Sequence, residues 1–439
     1  MGAAGPLRRV AIIGGGWAGF ASATTLVDAG CDVTVFEASG TLGGRARRVD
    51  HDGITIDNGQ HLLLGAYRQT LALIHRVQPD VAPQSLYARL PLAIVGPGEF
   101  RLRAAALPAP WHTLMGLLGA RDCTWRERFA VARAFAAWQR DGWRCAPGET
   151  VERLLREQPA RMVARLWSPL CLAALNTPLH LADAQAFLVV VRDALAGARG
   201  DSDLVIPAVD LSRLFPEPAA RHVGERGGKV CTHAMVRRIV PGADGVTVHG
   251  RSGIEADHFD CAILATAPWQ SVHLLEGVAD ASDAWVKLRA HRYEPICTIY
   301  MRFAERVPLG FPMLQLSGDP AQWVFERTPP DPAGSLLAFV ISADGPYRQL
   351  AHDRLISDVI GQMRREFPGS PLPPLAWSRV IVEKRATHAC TPFRPRLNAG
   401  PIADRLFVAG DHLDPDYPGT LEAATRSGVR AANEVLAVR

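Results

Sequence analysis

Hydrophobic and polar positions near the amino terminus follow a regular succession. A β-branched run at residues 10–13 leads through three glycines into an alanine-rich segment that reaches Asp28. A second β-rich run, residues 33–36, ends at Glu37. Short runs of this kind favour strands, whereas the segment between them has helical spacing. The pattern therefore predicts a strand, a tight turn, a helix and a second strand.

The pattern changes character twice further along the chain. Residues from about 100 to 200 contain long stretches with helical spacing, such as "RERFAVARAFAAWQR" and "AQAFLVVVRDALAG". Beyond Gly227 strand patterns return around a turn at "GADG" and continue in "FDCAILATAP". The segments "PICTIYMRF", "AQWVFER" and "GSLLAFVISA" then predict an antiparallel sheet. A last strand in "RLFVAG" precedes a helix from about Thr420.

This order predicts an α/β protein in which one domain is assembled from separated pieces. We expect residues 1–95, 215–275 and 385–439 to form a Rossmann-like domain, because strand-then-helix patterns lie at both ends of the chain. Residues 96–214 and 276–384 form an inserted domain with a helical part and then an antiparallel sheet. The length of 439 residues exceeds that of one ordinary core and suits two domains.

Composition narrows the class of protein. Hydrophobic residues make up 48%, charged residues 21%, and the mean hydropathy of +0.03 is typical of a globular protein. The net charge is +4, and no block of lysine and arginine resembles a nucleic-acid footprint, so no nucleic-acid partner is expected. A mild attraction to anionic membrane surfaces is compatible with this charge.

Cysteine spacing and the amino terminus bear on metal sites and export. The eight cysteines lie far apart without a Cys-x-x-Cys pair, so we expect no metal site and a reduced, cytoplasmic protein. The segment "RRVAIIGGGWAGFASA" resembles an export signal superficially, but three glycines interrupt its apolar run. No apolar run reaches the roughly 18 residues that suit a membrane-spanning helix, so none is predicted.

Glycines after the first strand have the spacing of a dinucleotide-binding turn. Gly14 permits the tight turn, Gly16 lets a pyrophosphate approach the backbone, and Gly19 allows the helix to pack on the strand. The helix N-terminus supplies N–H groups and a partial positive charge. Glu37 ends the second strand, where its carboxylate can accept hydrogen bonds from ribose hydroxyls. We predict a dinucleotide site here, with a glycine turn that binds no ligand as the alternative; the site also includes Trp17, Ala18 and Ala38.

A second glycine element, "LGGRARR", follows closely. Gly43 and Gly44 bring backbone near a cofactor, and Arg45 can reach a phosphate or a polar group beside a flavin. Nicotinamide enzymes do not need this element, and a loop with solvated arginines is the alternative. The combination resembles the family of FAD-dependent amine oxidases and carotenoid-type desaturases. The resemblance implies FAD as cofactor and a substrate-binding role for the inserted domain.

The carboxyl-terminal segment "LFVAGDHLDPDYPGTLEAATRSGVRAA" agrees with that family. The resemblance implies that Asp411, after Gly410, bonds the ribityl or phosphate part of FAD. It also places the helix N-terminus at Gly419, Thr420 and Leu421 near the flavin, where the helix dipole favours the reduced anion. We interpret Glu422 as a helix-dipole carboxylate rather than a catalytic group. By the same resemblance, the backbone of Val236 contacts adenine.

The segment "DNGQH" supplies candidate catalytic residues. A glycine at position 59 lets backbone and the adjacent Gln60 approach the flavin ring, and the family has a similar Asp-x-Gly segment. His61 is the first candidate proton donor to a leaving oxygen, and Asp57 is the second. A hydrogen-bonded structural histidine is the alternative for His61.

Several segments resemble one subgroup, the hydroxysqualene dehydroxylases of hopanoid synthesis. They cover the chain from the first strand to the last helix and include "DNGQHLLLGAYRQTL", "LWSPLCLAALNTP", "PICTIY", "QWVFER", "VISA", "IVEKRAT" and "YPGTLEAATRSG". Three positions depart from the pattern: His388 and His412 stand where we expect aromatic residues, and Gly419 stands where we expect alanine.

The apolar stretch "LWSPLCLAALNTP", residues 166–178, is predicted to wall a channel for a long hydrocarbon. The candidate substrate contacts are Trp167, Leu170, Leu172, Asn176, Tyr300, Trp323 and Phe325. The aromatic faces among them can stabilise a carbocation. Ordinary core packing is the alternative for each residue.

The resemblance implies reductive loss of a hydroxyl, in which water leaves and an allylic cation takes hydride from reduced FAD. Because only one dinucleotide fingerprint is present, we expect an external electron donor rather than a dedicated NADPH site. Three other functions stay open: a desaturase that takes hydride from a polyene, an amine oxidase, and a prenyl-lipid carrier without catalysis. An amine oxidase usually has a lysine beside the flavin, and only three lysines occur here.

A long triterpenoid substrate implies transient contact with a membrane surface, at the inner face of the cell membrane, and preceding squalene-pathway synthases as possible partners. The candidate contact is "LPAPWHTLMGLLGA", residues 107–120, with apolar residues at Trp111, Leu114, Met115, Leu117 and Leu118. Burial of this segment in the helical domain is the alternative.

Overall fold

A computed structural model describes residues 8–109, 111–251, 256–327, 334–369, 371–397, 400–415 and 417–438. The strands are β1 Arg9–Ile13, β2 Asp32–Phe36, β3 Arg48–His51, β4 Ile54–Asp57, β5 Leu63–Leu64, β6 Tyr87–Leu90, β7 Ala93–Val95, β8 Arg101–Arg103, β9 Leu204–Pro207, β10 Lys229–Cys231, β11 Val236–Gly242, β12 Gly245–Gly250, β13 Asp257–Phe259, β14 Cys261–Leu264, β15 Tyr293–Phe303, β16 Met313–Gln315, β17 Trp323–Arg327, β18 Ser335–Ser342, β19 Leu375–His388 and β20 Leu406–Val408.

The α-helices are α1 Trp17–Asp28, α2 Arg68–Arg76, α3 Pro83–Leu86, α4 Trp111–Leu118, α5 Trp125–Arg140, α6 Val151–Leu154, α7 Ala160–Met162, α8 Ser168–Leu175, α9 Ala184–Val191, α10 Leu211–Leu214, α11 Pro216–Glu225, α12 Pro268–Leu274, α13 Ser282–Arg289, α14 His352–Glu366 and α15 Leu421–Ala437. Short π-helical or 3₁₀ segments are Val163–Trp167, Arg192–Ala196, Arg199–Ser202, Ala279–Ala281, Pro346–Gln349 and Asp411–Leu413. Within the described ranges, no helix has both the length and the apolar character needed to cross a bilayer.

A parallel sheet with the strand order β10-β2-β1-β14-β20 forms the centre of the Rossmann-like part of the molecule. Its strands are covered on both faces, which is why the sequence reads as short, almost continuous apolar runs. Helices α1 and α15 pack against each other so closely that a Cβ at Gly428 would lie 2.3 Å from the carbonyl oxygen of Ala18. Ser22 also donates a 2.9 Å hydrogen bond to the Gly428 carbonyl. The predicted opening strand, helix and strand are confirmed.

An antiparallel sheet in the order β16-β17-β18-β15-β19 forms the second layer, as predicted. Alternate residues of β15 face opposite sides: Ile299 and Met301 pack against a core that includes α14, while Tyr300 packs with the helical segments. This is the period-two alternation expected of a sheet covered on both faces.

A small sheet, β5-β9-β6, crosses the predicted division of the chain. Strand β9 lies in the segment assigned to the inserted domain, but it pairs with β5 and β6 from the first 95 residues. The pattern along β9 reveals that it is buried and does not reveal its partners. The domain boundaries stay a prediction.

Helix α4 falls in the predicted surface segment 107–120, of which residue 110 lies outside the described residues. Trp111, Met115 and Leu118 are exposed, whereas Leu117 is buried. Leu117 is therefore corrected from a surface residue to a core residue, because the inward side of an amphipathic helix packs on the protein.

Candidate active site

The glycine turn between β1 and α1 is shaped by close backbone packing. Gly14 has a φ of +113°, and a Cβ there would lie 2.7 Å from the carbonyl oxygen of Ala265. A Cβ at Gly19 would lie 2.0 Å from the Gly14 oxygen, so Gly19 permits the contact between helix and turn. Gly16 differs, because the nearest atom to its Cβ position is the Gly44 Cα at 3.8 Å. Space is thus kept over Gly16, where a diphosphate can approach the backbone.

A large cavity opens over this turn and has a volume of about 1180 Å³. The predicted cofactor residues that line it are Gly14, Gly16, Trp17, Ala18, Glu37, Ala38, Gly43, Gly44, Arg45, Gly59, Gln60, His61, Val236, Gly410, Asp411, Gly419, Thr420 and Leu421. Gly19, also predicted among the cofactor contacts, does not line the cavity, and its close approach to Gly14 agrees with the packing role predicted for it.

Glu37 organises the backbone at the end of β2. Its carboxylate accepts hydrogen bonds from the N–H groups of Gly15 and Ser39, each at 2.7 Å. A carboxylate has further lone pairs for ribose hydroxyls. The side chain therefore holds the glycine turn and presents acceptors to the same cavity.

Arg45 connects the second glycine element to the carboxyl-terminal segment. Its guanidinium lies 2.5 Å from Asp411 and donates a 2.7 Å hydrogen bond to the Ala386 carbonyl. Burial acts to raise the pKa of Asp411, but Arg45 and the adjacent His412 hold that pKa well below its usual range. Asp411 is thus an ionised acceptor at the cavity wall, and Arg45 is fixed by protein groups in addition to any phosphate.

The N-terminus of α15 faces the cavity through Gly419, Thr420 and Leu421. The Thr420 side chain caps the helix by accepting from the Ala423 N–H at 3.1 Å. The carboxylate of Glu422 does not line the cavity. A positive helix end is therefore available to an anionic ligand.

Glu422 caps a neighbouring helix, which the sequence did not reveal. Its carboxylate accepts from the N–H groups of Gln69 and Thr70 in the first turn of α2, at 3.1 and 2.9 Å, and from the Thr70 hydroxyl. The same carboxylate pairs with Arg426 at 2.9 Å. Glu422 is a helix-dipole carboxylate as predicted, but for α2 as well as for its own helix.

His61 lies on the cavity wall in a fixed orientation. Its Nδ1 is 2.8 Å from the Gly59 carbonyl oxygen, which can only accept, so Nδ1 carries the proton and Nε2 keeps a lone pair. Burial lowers the pKa of His61, and the bond to Gly59 opposes that change only in part. The imidazole is neutral near pH 7 and presents an acceptor.

Asp57 is placed away from the cavity, which corrects its prediction as second proton donor. Its carboxylate is buried, accepts from the Leu211 N–H at 2.8 Å and pairs with Arg327 at 3.0 Å. Burial raises the pKa of Asp57 to about 6, with Arg327 acting in the opposite direction. Asp57 joins β4, α10 and β17 and does not face the reaction space.

The far half of the cavity is walled by apolar side chains. Among the predicted substrate residues, Leu170, Leu172, Asn176, Trp323 and Phe325 line it. The apolar lining that the sequence did not single out includes Leu62, Leu64, Leu92, Ile94, Val190, Val191, Leu195, Met313 and Val340. Alternation in the short strand β16 was the available signal for Met313, which faces the same side as Phe325 in register.

Trp167 and Tyr300 do not line the cavity, and their predicted substrate contacts are corrected. Trp167 is fully buried among Phe135, Trp138 and Phe187, and its indole N–H donates to Gln158 at 3.0 Å. It belongs to the π-helical segment Val163–Trp167, and its neighbour Leu166 lines the cavity. Tyr300 lies in β15, an interior strand of the antiparallel sheet, and is covered on its own face.

Asn176 lines the cavity, but protein groups occupy its amide. Its Nδ2 donates to the Pro295 carbonyl at 3.2 Å and to the Thr387 hydroxyl at 3.1 Å, while Oδ1 accepts from the Ala343 N–H at 2.7 Å. With a φ of +48°, Asn176 ends α8 and ties it to the antiparallel sheet. Its role in the wall is to position the helix.

His388 and His412, the two histidines that depart from the family's pattern, lie near Asp411, and a third histidine, His291, lies between them. The rings of His291 and His412 are 5.4 Å apart, and those of His291 and His388 are 6.0 Å apart. Burial lowers the pKa of His291 to about 4 and that of His388 to about 3. Among the described residues, no group of three or more histidine, cysteine or acidic side chains is arranged to hold a metal ion.

One cavity therefore combines four features. They are the accessible backbone at Gly16, here called the cofactor cradle, the N-terminus of α15, the Arg45–Asp411 ion pair, and the wall of apolar side chains, here called the apolar chamber. The cradle over Gly16 has room that no protein side chain fills, and the positive end of α15 suits an anionic group. These residues fit a dinucleotide with an electron-accepting ring, bound beside an apolar molecule.

Comparisons with known proteins agree with this arrangement. The family model described as flavin containing amine oxidoreductase matches residues 17–436. The chain is 27% identical to the hydroxysqualene dehydroxylase of Rhodopseudomonas palustris, over 98% of this chain and 99% of that protein. It is 28% identical to the hydroxysqualene dehydroxylase of Sinorhizobium fredii, over 98% of each chain.

Two further comparisons concern a desaturase and the fold. The zeta-carotene desaturase of Synechocystis is 26% identical over 98% of this chain and 97% of that protein. A solved triple mutant of putrescine oxidase superposes with a TM-score of 0.75 at 14% identity, over 98% of this chain and 99% of that chain. The predicted α/β fold class, with its inserted helical and antiparallel parts, is confirmed.

Proposed function

Since the chain belongs to the family of flavin-containing amine oxidoreductases, we propose that this FAD-dependent oxidoreductase removes the hydroxyl of hydroxysqualene and forms squalene. The observation that carries the proposal is the apolar chamber that shares one cavity with the cofactor cradle. Similarity over nearly the full length to proteins named hydroxysqualene dehydroxylase supports the choice of substrate.

The reaction replaces a C–OH bond by a C–H bond, so it consumes one hydride and one proton and releases one water. When bound in its reduced form, FAD supplies the hydride. Gly14, Gly16 and Glu37 would hold its diphosphate and ribose, while Arg45 and Asp411 would hold its middle part. The N-terminus of α15 would stabilise negative charge on the flavin.

The protein's own contribution is orientation, exclusion of water and control of one proton. Side chains such as Leu170 and Phe325 keep the chamber dry, which prevents water from adding back to an allylic cation. The Nε2 atom of His61 accepts a hydrogen bond from the substrate hydroxyl and orients it. Because burial lowers the pKa of His61, its protonated ring is a stronger acid than that of an exposed histidine, and it gives the proton to the leaving oxygen.

The proposal is tested by anaerobic incubation of the reduced enzyme with hydroxysqualene. We expect reoxidation of the flavin and formation of squalene in equal amounts. The variant His61→Gln keeps a hydrogen-bonding side chain and removes the titrating group, so its rate should lose the rise toward acidic pH. Flavin that stays reduced in the presence of hydroxysqualene overturns the proposal.

Electrons are proposed to reach the flavin from an external donor, because only one dinucleotide fingerprint occurs in the sequence. Steady turnover of the purified enzyme with NADPH alone would contradict this part of the proposal.

A desaturase that takes hydride from a polyene precursor is the second candidate. Similarity to a zeta-carotene desaturase over nearly the whole chain favours it, and the same apolar chamber would suit it. Hydroxysqualene offered to the reduced enzyme and a phytoene-like hydrocarbon offered to the oxidised enzyme separate the two reactions. Conversion of the hydrocarbon with flavin reduction, and no conversion of the alcohol, supports the desaturase.

A further inference from the structure

Two neighbouring helices expose a continuous row of large apolar side chains. The row, here called the apolar collar, consists of Trp111, Met115 and Leu118 on α4 and of Trp125 and Phe129 on α5. Trp125 and Phe129 are each 71% exposed, and Trp111 is 56% exposed. Residues spaced by three or four positions lie on one face of a helix, so each helix presents its apolar residues together. Exposed clusters of this kind mark interaction surfaces.

Arg128 holds the two faces side by side. Its guanidinium donates to the carbonyls of Leu118 and Ala120 at the end of α4, both at 2.6 Å, and lies 4.7 Å from the centre of the Trp125 ring. Reciprocal hydrogen bonds between Thr124 and Glu127 fix the start of α5. The collar is therefore a single ordered surface.

The opposite side of the collar helices covers the apolar chamber. Thr113 on α4 donates a 3.4 Å hydrogen bond to the carbonyl of Leu195, a residue that lines the cavity. Leu117 packs in the same core as Leu166 and Val191, which also line the cavity. The inner side of α4 therefore packs against residues that line the chamber.

Positive charge surrounds the collar. Arg101, Arg121 and Arg126 are exposed and belong to none of the ion pairs described for this chain, and the backbones of Arg101 and Arg121 are hydrogen-bonded to each other. The nearby acid Asp122 is paired with two other arginines, Arg161 and Arg165. The surface around the collar therefore has excess positive charge.

We propose that the apolar collar docks the protein on the anionic surface of a lipid bilayer. Aromatic and aliphatic side chains flanked by arginines are the composition of segments that lie in the membrane interface. The proposal rests on the proposed function, because a triterpenoid substrate resides in the bilayer and the collar covers its chamber. A second copy of the chain suits the collar less well. A twofold contact would bring the same three arginines of each copy together, and like charges repel.

The test is co-sedimentation of the FAD-loaded full chain with vesicles, without substrate. Vesicles of phosphatidylcholine with phosphatidylglycerol are compared with vesicles of phosphatidylcholine alone. The double variant Trp125→Gln/Phe129→Gln removes the most exposed part of the collar. Val286→Gln is the matched control, because Val286 is an apolar residue that is 59% exposed on helix α13, whose buried residues Ala284 and Leu288 belong to a different core.

We expect the protein to bind the anionic vesicles, the double variant to bind on the order of tenfold more weakly, and the control to bind as the unaltered chain does. Added salt should weaken the binding. Equal binding of the double variant and the control overturns the proposal. A dimer in solution that the double variant dissociates also overturns it and assigns the collar to a second copy.

Activity on detergent-dispersed hydroxysqualene separates this proposal from the proposed function. The double variant should keep that activity and lose activity on substrate embedded in vesicles. Vesicle binding by a chain that does not convert hydroxysqualene would leave the docking surface in place and remove the proposed reaction.

Discussion

Arg45 and Asp411, 366 positions apart in the chain, form an ion pair of 2.5 Å at the wall of the cavity. The pair joins the loop after β2 to the loop after β20, on two strands of the same parallel sheet that are not neighbours. It therefore holds the two sides of the cofactor-binding part of the cavity together.

Breaking the Arg45–Asp411 pair should lower both the amount of bound flavin and the free energy of unfolding. Arg45→Met leaves the Asp411 carboxylate buried without a partner, and we expect a loss on the order of 3 kcal/mol in the free energy of unfolding. Bound flavin, measured by its visible absorbance per protein, should fall in the same variant. Arg45→Met/Asp411→Asn should recover part of the stability.

As a control, Arg133→Met breaks an exposed pair with Glu157 and should change stability by about 1 kcal/mol or less. A flavin content equal to that of the unaltered chain would contradict this prediction.

Two glycines of the same turn should respond differently to alanine. Gly16→Ala should leave the fold intact, because Gly16 has a φ of −88° and no atom of a non-adjacent residue lies closer than 3.8 Å to its Cβ position. Its methyl group stands where the diphosphate approaches, so FAD affinity should fall. Gly19→Ala places a methyl 2.0 Å from the Gly14 oxygen and should destabilise the protein itself. Thermal unfolding of the flavin-free proteins distinguishes the two, and similar melting temperatures for both variants would refute the distinction.

Replacing Glu422 should lower the stability of the protein and leave its catalytic turnover unchanged. Glu422→Gln weakens the cap on α2 and leaves Arg426 without its partner, so we expect a loss of about 1–3 kcal/mol in urea unfolding. Since the side chain does not line the cavity, the turnover per bound flavin should stay unchanged. A selective loss of turnover with normal stability would instead assign Glu422 to the reaction.

The buried histidines should make the protein sensitive to acid. The pKa of His388 is lowered by burial to about 3 in the folded chain, against an ordinary value of about 6.5. As the pH falls, the unfolded chain therefore binds a proton at His388 before the folded chain does. The stability contribution is complete above about pH 6.5 and is lost progressively as the pH falls toward 3. Between pH 6.5 and pH 5 this amounts to about 2 kcal/mol.

The variant His388→Phe tests this pH dependence, since it fills the same space without a titrating group. Its free energy of unfolding should fall less between pH 6.5 and pH 5 than that of the unaltered chain. His273→Gln is the control, because His273 is exposed. An identical fall in the His388→Phe variant would mean that His388 does not stay neutral in the fold.

The cofactor half of the site was largely predictable because its geometry is local. The spacing of Gly14, Gly16 and Gly19 follows from what one turn between a strand and a helix can accommodate. The same holds for the "GD" after β20 and for the glycine and threonine before α15. Each is a short-range pattern, and its meaning does not depend on which distant residue packs against it.

The chamber half was predicted less well because its residues depend on long-range packing. The stretch 166–178 lies at the cavity, but Leu166 lines the cavity and the adjacent Trp167 does not. Tyr300 and Phe325 are both buried aromatic residues on strands, yet Phe325 lines the cavity and Tyr300 does not. A helix or strand period identifies a buried face and leaves open whether the neighbour is protein or cavity.

The sequence by itself determined the order of elements, the parallel sheet with its glycine turn and the flavin family, because local backbone rules and short motifs specify them. Only the tertiary structure decided that Asp57 is committed to Arg327, that Glu422 caps another helix, and that Trp125 and Phe129 lie beside α4. Each of these depends on contacts between segments far apart in the chain. Such contacts are set by how whole elements pack, and a linear pattern contains no record of that packing.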